Sequence, residues 1–374
     1  MTKAMFLSFS GYSVHSGISK KKLAQIKGLE ECGCQVVNCH YTVDPTNGNG
    51  LWMTDDRILL DLGKGIIAKI RKRIDYHFIY RYVKKEQVSF VYMRSEHNAN
   101  PFLIHFIKKL KALNISVVME IPTFPYDHEY ITFKGRCSLF IDRLFRKKLA
   151  KQLNAIVTFS NYEQIFGKRT VQISNGIDFS TIQLKESNHK KGELHLIGVA
   201  EIHYWHGFDR VVAGIRNYYS SKIDGTIVYF HIVGEFSGGR EREEIVPLIS
   251  NNQLGDYIIL HGPLYGEELD RLFDHADIGI GSLARHRNKI TYIKTLKNRE
   301  YAARGIPFIY SEIDKDFEGK NYVLKVPADD SSVNVHQLID FYNSVPETPE
   351  EIRNSVKHLS WKNQMRHVLN LIPC

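Results

Sequence analysis

The 374-residue sequence predicts an α/β protein of two Rossmann-like, doubly wound parallel-sheet domains facing a cleft. Three observations carry this expectation. Short apolar runs alternate with amphipathic helical stretches, the signature of βαβ units. The alternation stops at a polar stretch, residues 185–192 (KESNHKKG), and then restarts. The length suits two domains of roughly 100–200 residues each. In such sheets ligands bind beyond the carboxyl ends of the strands, where the strand order reverses. The expected site is therefore the cleft between the domains.

The elements follow in order. Residues 5–10 read as a strand. Residues 18–31 read as a helix, with Ile18, Leu23, Ile26 and Leu29 on its apolar face and Gly33 ending it. Strands are expected at 35–39, 88–93, 116–121 and 155–159, and helices at 66–85, 101–113 and 138–153. Past 192 the strands are 194–199, 226–233, 257–261, 278–280 and 307–310. The helices between them are 208–219, 241–251 (interrupted by Pro247), 266–274 and 295–304, and a last helical region covers 335–371.

Composition narrows the class. Hydrophobic residues are 43% and charged residues 24%, too apolar for a disordered chain. No apolar run reaches the ~18 residues of a membrane span. The apolar segment at 4–9 is shorter than a signal-peptide core and is read as a first strand. Cys32, Cys34, Cys39, Cys137 and Cys374 are odd in number, so the expectation is reduced thiols in a cytoplasmic protein. Charge is uneven. Residues 1–180 hold 27 Lys and Arg against 15 Asp and Glu, net +12, while residues 181–374 are net −3. The first half thus expects an anionic partner. Nucleic acid is disfavoured because no recognised binding module accompanies the charge.

Two basic helices account for much of that charge. In 66–85, Ile67, Ile70, Ile74 and Phe78 form an apolar stripe flanked by Lys69, Arg71, Lys72 and Arg73. In 140–153, Ile141, Leu144, Phe145 and Leu149 form another, among Arg143, Arg146, Lys147 and Lys151. Packing of both stripes on the sheet is one reading. Docking on an anionic membrane leaflet is the other.

The sharpest local feature is the stretch from Lys294 to Pro307 (KTLKNREYAARGIP). A helix should start near Thr295 and end at Gly305. Its N-terminus, with Thr295, Leu296 and Lys297, presents free amides to an anion, and Lys294 and Lys297 add charge. Glu300, one turn in, suits a ribose diol. On spacing alone a plain amphipathic helix is equally open. Asn175-Gly176 reads as a turn where the first domain ends. Asp314-Lys315-Asp316 falls too late in the second domain for a metal-binding Asp-x-Asp pair and reads as a turn. His203 and His206 lack partners at zinc spacing, so no metal site is expected. Neither a Gly-x-x-x-x-Gly-Lys-Ser/Thr loop nor a Gly-x-Gly-x-x-Gly fingerprint is present.

Taken in order, Asn175-Gly176-Ile177-Asp178, Trp205-His206-Gly207-Phe208-Asp209-Arg210, Ile232-Val233-Gly234, His261-Gly262 and Glu300 to Pro307 resemble the family-four retaining glycosyltransferases of GT-B type. Ser360-Trp361-Lys362-Asn363-Gln364-Met365 resembles their closing helix. The resemblance implies transfer of a sugar, with retention, from a nucleotide diphosphate sugar, without a metal or other cofactor. It implies a donor site in residues 181–358 built from His206, Gly207, Arg210, Gly234, Arg287, Lys294, Thr295, Leu296, Lys297 and Glu300. Residues 1–180 would bind a glycan or polyprenyl-diphosphate-linked acceptor, and residues 359–374 would pack back on them. The family pairs Glu300 with a second acid eight residues earlier, but Tyr292 stands there. Glu201 and His206 stand where the family often carries Arg and Lys.

In the first domain, Glu120 to Tyr130 (EIPTFPYDHEY) follows a strand and resembles a segment of bacterial polysaccharide transferases. It nominates Asp127 and His128 to orient or deprotonate the acceptor hydroxyl, with Thr123, Tyr126 and Arg94 beside it. A rigid, proline-braced loop is the plain reading. Gly17 would let a phosphate approach the first helix. A sugar-nucleotide epimerase or hydrolase of the same fold, and a non-catalytic binding protein, remain the alternatives.

Overall fold

In the computed structural model, described for residues 2–13, 16–55, 57–127, 130, 132–186, 190–221 and 225–372, the chain forms two compact units. The first comprises Met1–Gly176 with Trp361–Cys374, and the second Ile177–Ser360.

In chain order the first unit carries β1 (Lys3–Ser8), α1 (Gly17–Glu31), β2 (Gln35–Val43), β3 (Gly50–Thr54), β4 (Arg57–Asp61), α2 (Gly65–Ile74), α3 (His77–Lys85) and β5 (Phe90–Arg94). α4 (Pro101–Lys111), β6 (Ser116–Ile121), α5 (Phe133–Ala150), β7 (Ala155–Thr158), β8 (Gln164–Ile165) and β9 (Lys168–Gln172) follow. Its nine-stranded sheet has the order β4-β3-β2-β1-β5-β6-β7-β9-β8. The six strands from β2 to β9 across its middle are parallel, while β3, β4 and β8 run antiparallel to their neighbours.

The second unit carries β10 (Glu193–Val199), α6 (Phe208–Ser220), β11 (Ile227–Val233), α7 (Gly239–Asn251), β12 (Ile258–Gly262), α8 (Gly266–His275), β13 (Ile278–Ile280), α9 (Leu296–Arg304), β14 (Phe308–Tyr310), β15 (Val323–Lys325), α10 (Val335–Ser344) and α11 (Pro349–Ser355). Its six strands are all parallel, in the order β12-β11-β10-β13-β14-β15. The last helix, α12 (Trp361–Leu371), returns to the first unit and packs on α1. There a side chain on Gly28 would strike the Trp361 carbonyl at 2.8 Å.

Helices cover both faces of each sheet, which is why the strands read as continuous apolar runs. Met5 and Leu7 of β1 face α4 through Leu103 and Ile107. Ala4 and Phe6 face α1 and α12 through Leu29, Met365 and Val368. In the second unit Leu194 and Leu196 pack on Val211 and Ile215 of α6. Ile197 packs on Tyr301 and Ala302 of α9.

Three expectations change. The polar stretch that opens at Lys185 does not divide the units, which part between Gly176 and Ile177. Lys185 is buried in the second unit, with its ammonium 3.6 Å from Asp277 and its amide bonded to the Arg304 carbonyl. The single helix at 66–85 is two, because the chain turns at Asp75–Tyr76 to stack Tyr76 on Phe106 in the core, ring centroids 5.3 Å apart. The apolar stripes also split. α2 anchors itself through Ala68, and Phe78 of α3 packs on the core, but Ile66, Ile67 and Ile70 lie in the open. On α5, Leu149 is buried while Phe133, Phe140 and Leu144 are exposed. Arg73 reaches Ser138 (3.4 Å), so these two helices adjoin.

Candidate functional site

The strand order of the second unit reverses between β10 and β13, and the crevice beyond their carboxyl ends is its natural binding position. Gly234 keeps the crevice narrow. A Cβ there would lie 1.7 Å from the Ala200 carbonyl, and its φ of +126° suits only glycine. The chain after β10 makes one helical turn at Tyr204–His206, whose Trp205 and His206 carbonyls accept the Ala284 and Leu283 amides (3.3 and 3.0 Å). Gly207 permits that contact. Its φ is +70°, and a side chain there would meet Leu283 at 2.9 Å.

α9 rises from the same crevice. Thr295 caps it by accepting the Asn298 amide (3.4 Å), and Gly305 stops it at φ +76°. The amides of Leu296 and Lys297 have no helical acceptor and carry the positive end of the helix dipole. Buried Arg299 ties this first turn to the loop after β14. It binds the Thr295 carbonyl at 3.1 Å, Asp314 through a doubly bonded pair, and Asp316. This accounts for the Asp314–Asp316 pair as a structural clamp. Among the described residues, no group of three or more His, Cys, Asp or Glu has the arrangement to hold a metal.

Between these elements lie polar atoms that the protein leaves unanswered. Ser282 Oγ, Lys297 Nζ, Asn298 Oδ1 and both carboxylate oxygens of Glu312 are buried without a hydrogen-bond partner. Burial pushes the Lys297 ammonium down to about 7 and the Glu312 carboxyl up to about 7. His206 is buried among Lys297 and Arg285, and its pKa falls well below its ordinary value. Its Nδ1 accepts the His203 amide (3.1 Å), so the neutral ring carries its proton on Nε2 and can donate there. Leaving buried polar groups unpaired costs stability. They concentrate at the switch point, the place where a ligand of mixed donors and acceptors would answer them.

Other nominated residues prove occupied. Arg210 is enclosed and bonds the carbonyls of Ser331 (2.7 Å) and Leu283. Arg287 is committed to Asp209 (2.7 Å) and Asp330 (2.7 Å). Both brace the crevice wall through these bonds. Lys294 lies 3.9 Å from Asp316. Glu300 is partly exposed, with Oε1 held by Arg304 (3.1 Å), which also pairs with Asp270 (2.7 Å).

The first unit places its nominated residues differently. Asp127 is gripped by Arg143 (2.8 Å) and Arg146 (2.6 Å), and the Arg146 and Arg143 bonds hold its carboxyl below the usual range. A carboxylate so neutralised is a weak base. Tyr126 is buried and donates to Asp142 (2.6 Å), so it supports the loop from within. Arg94 is buried against Glu120. Thr123 sits half-buried just after β6. Gly17 opens α1 with open space at its Cβ position. His128 lies outside the described residues.

No family model matches the chain. No curated protein matches it either. Solved structures do. A sucrose-phosphate synthase from Thermosynechococcus elongatus superposes over 99% of this chain and 98% of its own, with a TM-score of 0.68 and 14% identity. HepE of Anabaena, solved with UDP-glucose, superposes over 99% of this chain and 100% of its own, with a TM-score of 0.59 and 12% identity. The fold is GT-B. The same GT-B architecture relates the chain to a Listeria monocytogenes structure described as a UDP-N-acetylglucosamine 2-epimerase, over 99% of this chain and 95% of that one (TM-score 0.53, 11% identity). In GT-B terms, the crevice between β10 and β13 belongs to the C-terminal sheet.

Proposed function

We propose that this protein is a retaining glycosyltransferase that moves a sugar from a nucleotide diphosphate sugar to a glycan or polyprenyl-diphosphate-linked acceptor in bacterial surface polysaccharide synthesis. The observation that carries the reading is the open N-terminus of α9 at the switch point, with Lys297 within it and Glu300 one turn on. The amides of Leu296 and Lys297 receive the diphosphate, and Glu300 receives the ribose. As the bond from the anomeric carbon to the diphosphate breaks and the bond to the acceptor oxygen forms, negative charge grows on the leaving group, which takes up the proton of the acceptor hydroxyl. Fixed donors meet that charge, so the transfer runs without a metal. HepE of Anabaena, solved with UDP-glucose and with UDP and glucose, supports this donor class.

The acceptor falls to the basic first unit. Exposed Ile66, Ile67 and Ile70 on α2, with Phe133, Phe140 and Leu144 on α5, stand among Lys69, Arg71, Lys72 and Arg143. Apolar side chains inside a basic field suit the cytoplasmic face of an anionic membrane, where each basic residue contributes about 1 kcal/mol. No helix among the described residues is long and apolar enough to cross a membrane.

The first test is a thermal-shift panel of UDP, GDP, ADP and their sugars, with EDTA and then with Mg²⁺. A ligand at 100 times its dissociation constant stabilises the fold by about 2.7 kcal/mol. Stabilisation by one nucleotide class in EDTA, lost in Glu300→Ala, is the expected result. Silence across the panel would sink the reading. The epimerase likeness supplies a second reading, which donor turnover in the absence of any acceptor would favour.

A further inference from the structure

The resemblance leaves a gap at Tyr292, where the family carries an acid. Another acid stands one residue before the backbone partner of Tyr292. Tyr292 forms a parallel bridge with Ile313, the Ile313 amide donating to Thr291 (2.7 Å) and the Ile293 amide to Ile313 (3.2 Å). Glu312, the residue before Ile313, lies just beyond the carboxyl end of β14, 2% exposed, with no other residue hydrogen-bonded to either oxygen. Lys297 Nζ, also sealed and unbonded, is within electrostatic range but not within ion-pair distance of it. The two groups therefore do not answer one another.

Each lacks a different partner. An ammonium needs an acceptor, best an anion, and a carboxylate needs donors. Inorganic pyrophosphate would satisfy Lys297 and repel Glu312. A free sugar would satisfy Glu312 and leave Lys297 bare. A glycosyl diphosphate carries an anion and hydroxyl donors on adjoining groups and satisfies both. We propose that Glu312 accepts hydrogen bonds from hydroxyls of the transferred sugar while Lys297 binds the adjoining phosphate. The clamp of Arg299 on Asp314 and Thr295 sets the two groups at their separation. This assignment rests on the glycosyltransferase reading above and adds to it the residue that discriminates the sugar.

The test measures dissociation constants for UDP-glucose, GDP-mannose, ADP-glucose and the bare nucleoside diphosphates. For the pair that binds the wild type, Glu312→Gln should leave the diphosphate within about twofold and weaken its sugar at least tenfold. Lys297→Met should weaken both at least tenfold. Equal effects of Glu312→Gln on both ligands, or none on either, overturn the assignment. A second measurement needs no variant: among deoxy analogues of the bound nucleotide sugar, at least one should bind the wild type tenfold more weakly than its parent, and that difference should vanish in Glu312→Gln. A wild type that binds sugar and diphosphate alike, with no deoxy penalty, loses the Glu312 role but keeps the donor site. A wild type that binds no member of the panel loses both.

Discussion

Each unit buries a glutamate at the carboxyl end of its parallel sheet, and the two have opposite fates. Glu120 of β6 is fully enclosed, yet Gln25 (2.5 Å), Tyr92 (2.6 Å) and Arg94 all donate to it, and Lys21 stands 3.6 Å away. Burial alone would raise its pKa, but Lys21, Arg94 and the two neutral donors outweigh burial and pull it below the ordinary value. Glu312 is as deeply buried and no other residue donates to it, so burial outweighs its own amide and the charges of Arg285 and Lys297, and its pKa rises to about 7. Depth is the same in both, and the partners decide the protonation state. The first cluster is closed by the fold itself, whereas the second is left for something else to close.

The comparison breaks most readily at Glu120. Glu120→Gln leaves Arg94 and Lys21 as uncompensated buried charges and should cost about 3–5 kcal/mol in urea unfolding at pH 7. The folded pKa lies below the unfolded one, so this stability is present above about pH 4.5 and lost as pH falls. The deficit of the variant should therefore shrink in acid, and a deficit independent of pH would refute the electrostatic account. Glu312→Gln should act in the opposite direction. Between pH 4.5 and about 7 the unfolded chain has released a proton that folded Glu312 keeps, so stability falls as pH rises through that window. Removing the carboxylate should raise the ligand-free protein by about 1–3 kcal/mol at pH 8 and by nothing near pH 4.

Lys297→Met sharpens the contrast from the cationic side. Its folded pKa, about 7, lies below the unfolded 10.5, so stability rises with pH between those values. The variant should gain about 1–2 kcal/mol at pH 6 and lose that gain toward pH 10.5, as read by chemical denaturation. Gly17→Ala carries the smallest effect. No atom lies within 4 Å of the added methyl, and alanine in the first turn of α1 should stabilise by about 0.5 kcal/mol. A transferase rate that falls while the melting temperature rises would show that a ligand approaches that backbone.

Much of the frame around these sites was legible beforehand. Thr295 as a cap, Gly305 as a stop and the apolar run after Pro307 place α9 and β14 within a residue of where they lie. The short strand at 278–280 also stands as read. Asn47-Gly48-Asn49-Gly50 announces the turn between β2 and β3, yet β3 and β4 themselves are not legible, because the apolar run after that turn is short and ends in acids. The break at Asp75–Tyr76 has neither glycine nor proline to signal it. It exists because Tyr76 gains more by entering the core than the helix gains by continuing.

By itself the sequence determined the alternation of strands and helices, the basic first half, and an anion-ready helix start at Thr295. These depend on local periodicity, capping chemistry and charge, which operate over a few residues. Only the tertiary structure decided which charged groups are answered. Arg210, Arg287 and Asp127 look as available in the sequence as Lys297, yet partners 16 to 121 residues away consume them. Glu312 looks like a solvated turn residue, yet the fold seals it with no donor from another residue. Whether a buried charge is spent or open depends on which distant atoms arrive within about 3 Å, and no local pattern encodes that.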